Sequence, residues 1–548
     1  MSRTSALLAL AGVFAAGSLA SAQSVRQSGA QIKVGPPNGT VIVVGGGAMG
    51  PEIYKTFIEA AGGPDALIVD VPTAGGDSVY GQDAPGTRGW KAAGAKNVVV
   101  VHTIDRKVAD SDSFPKILAK AGGVWFEGGR QWHLVDSYAG TKTEQAFHDV
   151  LARGGVIGGS SAGASILASF LVRGARQGNT VIVAPDYQKG FGFLRGVGID
   201  QHVVARERLR DLADSLMPRH PELLGMSEDE GTAWVVRGDT ATIIGRNKAF
   251  VYGGKDATDP DKPFLTLHPG DRYNLATRHV MHRAIADSPL TEPFVDRLFS
   301  KYSNPALGGA TVLVAQNGNV LVDKSYGIPE QPRYMPTTTV PQFALGGISR
   351  VYEAVAAQAL EHDGALKSTD TLAEGATVSQ FLSGERNVAN GDSLVAALIA
   401  ARAEAEPPRG GRGGRGGRGA SAPNPAAAYN AYLARHVYTP VGEHKTSATA
   451  NGEVHSDVDE LYRFELGLEN PAAFVRAANA DAFDPRLGWQ ADKFDGMERL
   501  SAFAAPNGRR GAFVRVPEKD LTVIVLTNDD TADAKAIADD IVEKTVRR

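Results

Sequence analysis

Residues 154–165 read GGVIGGSSAGAS, and a second apolar run, ILASFLV (166–172), follows directly. An apolar strand-like approach, a turn of glycine and serine, and a helix-like continuation make up the junction from which parallel α/β sheets are assembled. Within it, Gly159-Ser160-Ser161-Ala162-Gly163 fits G-x-S-x-G. Flanking glycines allow a strained strand-to-helix turn that projects the middle side chain, and amides opening the next helix can stabilise an oxyanion. The pentapeptide alone leaves two readings open, a nucleophile at Ser161 or a tight structural turn.

Working outward, short apolar runs recur between amphipathic segments: TVIVV (40–44), ALIVDV (66–71), NVVVVH (97–102) and GVWF (123–126). Near-continuous apolar strands separated by helical patterns predict an α/β domain with a parallel sheet covered by helices on both faces. Ligands bind such sheets beyond the carboxyl ends of the strands. Gly45–Gly47, Gly128–Gly129 and Gly159–Gly163 all fall at such ends. The segments GTAWVV, GDTATIIG and AFVYGG (231–254) predict a closing β-meander, and HPGDRYNLATRH (268–279) a boundary.

At 548 residues the chain exceeds the size of a single core, so two domains are expected. Composition is ordinary for a soluble protein: 43% apolar, 22% charged, net charge −4, which gives no general reason to expect nucleic acid as a partner. Residues 1–22 read as an export signal: Arg3, an apolar core, and a small-residue cleavage site at Ala20-Ser21-Ala22. The mature protein is therefore expected outside the cytoplasm, secreted or periplasmic, with domains over 23–275 and 276–548. No later segment reads as a membrane span. The absence of cysteine excludes disulfides and thiolate chemistry, so covalent catalysis must use oxygen or nitrogen groups. The twelve histidines form no H-E-x-x-H or other metal pattern, and no cofactor motif is complete, so neither metal nor cofactor is expected. A homodimer is compatible with the sequence.

The second half opens with a helical run and ATVLVAQNGNVLVDKSYG, a hairpin with Asn317-Gly318 as a type I′ turn. It closes with a strand pair and an amphipathic helix from about Asp533 to Lys544. Strands at both ends of a helical middle predict an α+β domain. The tract PPRGGRGGRGGRGASAPNP (407–425) cannot bury a core and reads as a flexible, solvated loop.

A serine nucleophile needs a base, and GIDQHVVARERLRD places His202 forty-one positions after Ser161. Three motifs now stand in order: F-E-G-G-R-Q (126–131), G-S-S-A-G-A (159–164) and I-D-Q-H-x-x-x-R-x-R (199–208). Together they resemble the cyanophycinase branch of the S51 serine peptidases over roughly residues 35–275. The resemblance implies a glutamine-amidotransferase-like fold, Ser161 as nucleophile and His202 as general base. It implies oxyanion donors at the amides of Ala162 and Gly129, and substrate contacts from Gln131, Asp200, Gln201, Arg206 and Arg208. The implied substrate is a peptide or the polymer cyanophycin, a polyaspartate carrying arginine. Carboxylates call for arginine forks and a guanidinium for an aspartate. Two departures stand out. The position of the acidic triad member holds Asn179, with Asp186 close by as substitute, and Arg130 replaces the usual aspartate beside the glutamine. These changes keep open a peptidase for other aspartyl or isoaspartyl peptides, and a binding protein without catalysis.

Residues from about 290 onward resemble the serine β-lactamase and penicillin-binding fold. Where that family carries S-x-x-K, this chain has Gly347-Ile348-Ser349-Arg350, and its tyrosine and K-T-G motifs are missing too. The second half is therefore expected to be a degenerate, non-catalytic relative.

Overall fold

A computed structural model describes residues 34–256, 263–304, 308–327, 342–372, 375–386, 388, 391–403, 425–449, 451–475, 482–504, 511–529 and 531–547. The leader at 1–22 and nearly all of the 407–425 tract lie outside the described residues.

The apolar runs become β1 (Thr40–Val44), β2 (Leu67–Val71), β3 (Asn97–Val100), β4 (Gly123–Phe126) and β5 (Val156–Ser160). They lie parallel in the order β1-β5-β4-β2-β3. Because successive strand side chains face opposite ways, Val41 and Val43 join one core, with Leu134, Tyr138 and Phe147 from the helices Gln131–Tyr138 and Lys142–Ala152. Ile42 and Val44 join the other, with Phe57 and Trp90 from Pro51–Ala60 and Pro85–Ala92. That is why these strands are apolar throughout rather than alternating.

Three expectations are corrected. ILASFLV is not a helix: Ala162–Ser165 forms one helical turn and Ala168–Phe170 is β6, which pairs with β7 (Leu194–Gln201). β7 in turn lies parallel to β8 (Leu224–Glu228). The meander divides: β9 (Thr232–Arg237) and β10 (Thr240–Gly245) extend the first sheet beside β1, while β11 (Ala249–Tyr252) crosses to pair with β8 and β12 (Leu265–Leu267). Finally, β13 (Arg272–Asn274) and β14 (His279–His282) add a hairpin to β10, so the first sheet continues past the division placed at 275/276. The Pro-Gly pair marks a turn within the sheet's rim, not its end.

In the second half, β15 (Gly309–Gln316) and β16 (Asn319–Gly327) flank Asn317 and Gly318, whose φ values of 52° and 70° are those a type I′ turn requires. β17 (Phe343–Ala344), β18 (Ser447–Ala448) and β19 (Val454–Ser456) form a small sheet. The six-stranded antiparallel sheet is completed by β20 (Gln490–Phe494), β21 (Met497–Phe503), β22 (Gly511–Val516) and β23 (Leu521–Thr527). One of its faces packs on the helical middle through Leu313, Phe513 and Ile524. The other packs through Val312, Val514 and Val523 on the terminal helix Ala534–Val546. The α+β reading holds.

The halves are tied by charge. Lys248 reaches Asp323 at 2.6 Å and Asp459 at 2.9 Å. Burial works against its charge, yet the two carboxylates hold its pKa above the ordinary lysine value. Arg463, on the helix Val458–Leu468, donates Nε to Asn247 Oδ1 at 2.5 Å.

Candidate active site

Ser161 leaves β5 with φ 57° and ψ −115°, a conformation that side chains rarely adopt. The surrounding glycines make it feasible. A Cβ at Gly163 would lie 2.0 Å from the Phe126 carbonyl oxygen, and one at Gly159 would lie 2.2 Å from that of Gly163. The Ser161 amide is anchored to the Val44 carbonyl at 3.0 Å. Its hydroxyl is 2.8 Å from His202 Nε2.

His202 follows β7 directly, is only 4% exposed, and has its amide bonded to the Gly45 carbonyl at 3.0 Å. Gly45-Gly46-Gly47 forms the floor beneath it. A Cβ at Gly46 would meet the imidazole Cε1 at 2.1 Å, and one at Gly47 would meet Glu230 Oε2 at 2.6 Å. The three glycines thus line the site with backbone, as expected from their place after a strand.

The partner of His202 Nδ1 is Glu230, whose Oε1 lies 2.5 Å away. This corrects both sequence candidates. Asn179 lies on the stretch after β6, where its carbonyl accepts from Arg173 Nη1, and Asp186 is exposed on the same stretch. Glu230 is placed by the sheet instead: β7 and β8 run parallel with Gln201 opposite Glu228, so the residues just beyond both strand ends converge. The hydrogen bond from His202, with a second from His444, holds the Glu230 carboxyl well below its ordinary range and keeps it ionised. Because an ionised carboxylate only accepts, His202 carries its proton on Nδ1. Nε2 is then free to accept from the serine hydroxyl. The signal in the sequence was the acidic run Glu228-Asp229-Glu230 at a strand's carboxyl end.

Gly128 approaches the nucleophile closely enough that a Cβ there would lie 3.8 Å from Ser161 Oγ. The Gly128-Gly129 backbone therefore borders the hydroxyl on one side, and Ala162 opens the turn on the other. Gly129, at φ 142°, lies so close to the Ala74 carbonyl that a Cβ would fall 2.1 Å from its oxygen.

The expected substrate contacts separate into two groups. Gln131 is buried and its Nε2 donates to the Val172 carbonyl; Gln201 is buried with its Nε2 on Ser165 Oγ. Asp200 departs from expectation. Both its oxygens are held at 2.7 Å by Arg173, a buried residue that the sequence reading missed and that also meets Asp211. Asp200 is therefore neutralised from inside and does not offer a carboxylate to a guanidinium. Arg206 is exposed. Arg208 is half-buried, and its Nη1 lies buried without a hydrogen-bond partner among the described residues. Burial and the Arg173 charge lower its pKa, conditions that an incoming carboxylate relieves. Arg130 is turned aside, donating Nη2 to the Ala175 carbonyl at 2.6 Å.

Next to Gly128, the Glu127 carboxyl faces that of Asp70, and burial followed by the Asp70 charge pushes it up to about 8. No cluster of metal-ligating side chains and no helix long and apolar enough to cross a membrane occurs among the described residues.

Among the described residues, the second half has no comparable line of groups at the corresponding turn. A Cβ at Gly347 would lie 2.6 Å from the Phe503 carbonyl oxygen, so the turn has closed over the place of a nucleophile. Ser349 is 1% exposed and its Oγ accepts from the Val454 amide. Arg350 pairs with Asp392.

A serine hydroxyl, an imidazole and a carboxylate in line at the carboxyl edge of a parallel sheet define a hydrolase of the serine-nucleophile class. The profile of Peptidase family S51 matches residues 41–244. A cyanophycinase of Geminocystis herdmanii (strain PCC 6308) is 30% identical over 264 residues, covering 44% of this chain and 96% of the relative. One of Synechococcus elongatus is 30% identical over 272 residues, covering 45% and 82%. The chain belongs to peptidase family S51. Solved structures that it resembles include a peptidase from an acI-B1 Actinobacterium, at 22% identity and a TM-score of 0.34, covering 43% of this chain and 97% of that one. The octameric penicillin-binding protein homologue from Pyrococcus abyssi, at 14% identity and a TM-score of 0.36, covers 46% and 77%.

Proposed function

We propose that the protein is an exported serine exopeptidase that releases aspartyl-arginine dipeptides from cyanophycin, with Ser161 as nucleophile. The observation that carries this is the continuous line Ser161 Oγ–His202 Nε2 at 2.8 Å and His202 Nδ1–Glu230 Oε1 at 2.5 Å. His202 takes the hydroxyl proton as Ser161 adds to the aspartyl carbonyl, and returns it to the leaving amine as the C–N bond breaks. Water, deprotonated by the same imidazole, then cleaves the acyl ester. Glu230 keeps its charge throughout and stabilises the imidazolium. The Gly129 and Ala162 amides receive the oxyanion. Export rests on the leader-like residues 1–22, and N-terminal sequencing of protein from a periplasmic or culture fraction tests it.

A second reading has its own support. With Asp200 neutralised by Arg173 and Arg208 Nη1 buried without a partner among the described residues, the site favours acidic groups over guanidinium, which fits other aspartyl or isoaspartyl peptides. Wild type and Ser161→Ala are compared on insoluble cyanophycin, following dipeptide release. Ser161-dependent release supports the first reading, and cleavage confined to aspartyl or isoaspartyl peptides supports the second. No turnover together with no labelling of the wild type by a phosphonate probe leaves a binding protein and overturns both.

A further inference from the structure

Three features outside the Ser161–His202–Glu230 line stand out. They are a cavity of about 720 Å³ between the halves, the buried carboxyl Glu353 behind the closed Gly347 turn, and a set of side chains that the second half lays against the Glu230 loop. The cavity is lined by lysines and aspartates already paired with each other, such as Lys248 with Asp323 and Asp459. Glu353 is fully buried on the helix Ser349–His362, with Asp392 and Arg350 of its own half as its charged neighbours. The third feature reaches the reacting groups.

His444 follows the short helix Thr439–Val441 of the second half. Its Nε2 lies 3.0 Å from Glu230 Oε2, the oxygen that His202 leaves free. Its backbone amide and that of Lys445 bond to Glu460 Oε2 at 2.7 and 3.2 Å, so the imidazole is delivered by a fixed turn. Glu460 pairs with Arg463, which also reaches Gly442 O at 3.2 Å and Asp229 Oδ2 at 3.4 Å. Asp229 in turn accepts from the amides of Val204 and Ala205, just after His202, at 3.1 and 2.9 Å. Asn247, held by Arg463, donates to the Glu230 carbonyl. The loop that carries Glu230 is thus held from both sides, by first-half backbone such as the Gly46 carbonyl on the Gly231 amide and by His444 and Arg463 of the second half.

We propose that the second half acts as a positioning element for the peptidase site, with His444 donating to Glu230 so that both oxygens of this carboxylate are held and its basicity towards His202 is set. Resting on the reading of Ser161 and His202 above, this gives the non-catalytic half a role in the reaction without chemistry of its own. A carboxylate bonded at one oxygen can turn about its last bond, whereas one bonded at both cannot. A second donor also draws charge away from the Glu230 oxygen that faces His202. The charged groups around Glu230 are His202 from the end of β7, His444 and Lys445 from the second half, Asp229 beside it, Arg246 after β10, Glu52 near Arg246, and Glu460 and Arg463 on the helix. None but His202 and His444 bonds to its carboxylate among the described residues.

The full-length protein is labelled with a fluorophosphonate across pH, with the Ser161→Ala variant as blank, so the readout needs no substrate. In His444→Leu and His444→Ala, the pH at which labelling reaches half its maximum moves up by about half a unit. His444→Gln, whose amide still donates, keeps the wild-type midpoint. His444 is a third exposed, and the paired Leu and Ala variants separate a packing fault from loss of the donor. An unchanged midpoint in Leu and Ala overturns the proposal. A loss of rate equal at every pH, shared by Gln, also overturns it, because the contact is then only structural. Absence of Ser161-dependent labelling in the wild type removes the peptidase reading instead.

Discussion

Glu230 Oε1 lies 2.5 Å from Nδ1 of His202, twenty-eight residues earlier in the chain, because two neighbouring parallel strands end side by side. A carboxylate there both selects the tautomer that leaves Nε2 facing Ser161 and stabilises the imidazolium that forms on attack. Glu230→Gln keeps the length but loses the charge and the pure acceptor. We expect kcat to fall on the order of 10³–10⁴-fold, as for loss of the acidic member in other serine triads. Asn179→Ala and Asp186→Ala should each stay within about twofold of wild type, since neither meets the imidazole. Steady-state kinetics on the substrate identified by dipeptide release check both.

The same carboxylate has a pH signature. Its folded-state pKa is depressed, so the stability it contributes is present above its unfolded value near 4.5 and is lost as pH falls below that value towards the folded one. Thermal unfolding of wild type and Glu230→Gln should therefore differ most at neutral pH and converge in acid.

Asp70 and Glu127 behave in the opposite sense. Burial raises both, Glu127 to about 8, so the pair retains a proton near neutrality. Raised carboxyl values mean that stability is full below the unfolded values and drains away as pH rises through the folded ones. Wild type should lose melting temperature as pH rises from the unfolded values near 4 through the folded ones, levelling off above about pH 8. Glu127→Gln, which is neutral throughout, should flatten that decline.

What the sequence discloses and what it hides follow one rule. Ser161 is legible because its requirement is local: Gly159 and Gly163 sit where carbonyls approach to about 2 Å of any Cβ, and that need is written as G-x-S-x-G. The apolar strands are legible because burial on both faces removes polar alternation. Glu230 is not, because its role depends on β7 and β8 being neighbours, which no spacing encodes. The same holds for Arg173 on Asp200, and for β11, which leaves the predicted meander for the other sheet. His444 is less legible still, since it comes from the other half of the chain.

Gly46 tests the floor of the site. A Cβ there would enter the imidazole at 2.1 Å, and its φ of 101° is one that alanine resists. The obstruction is the His202 ring itself, so Gly46→Ala should displace it. Activity and phosphonate labelling should drop at least about a hundredfold. Circular dichroism should show the fold retained.

The Arg173–Asp200 pair separates a structural role from substrate binding. Both groups are buried, and removing one partner leaves an uncompensated charge, at a cost of about 3–5 kcal/mol. Arg173→Met should therefore lower the melting temperature sharply. Adding Asp200→Asn should recover part of the loss, because the stranded charge is gone, and this recovery is the coupling a double-mutant cycle reads. If Asp200 instead bound the guanidinium of a substrate, Asp200→Asn alone would raise KM with little change in melting temperature. The two bonds of 2.7 Å from Arg173 predict the reverse: a loss of stability, with KM for arginine-bearing and arginine-free aspartyl peptides moving together.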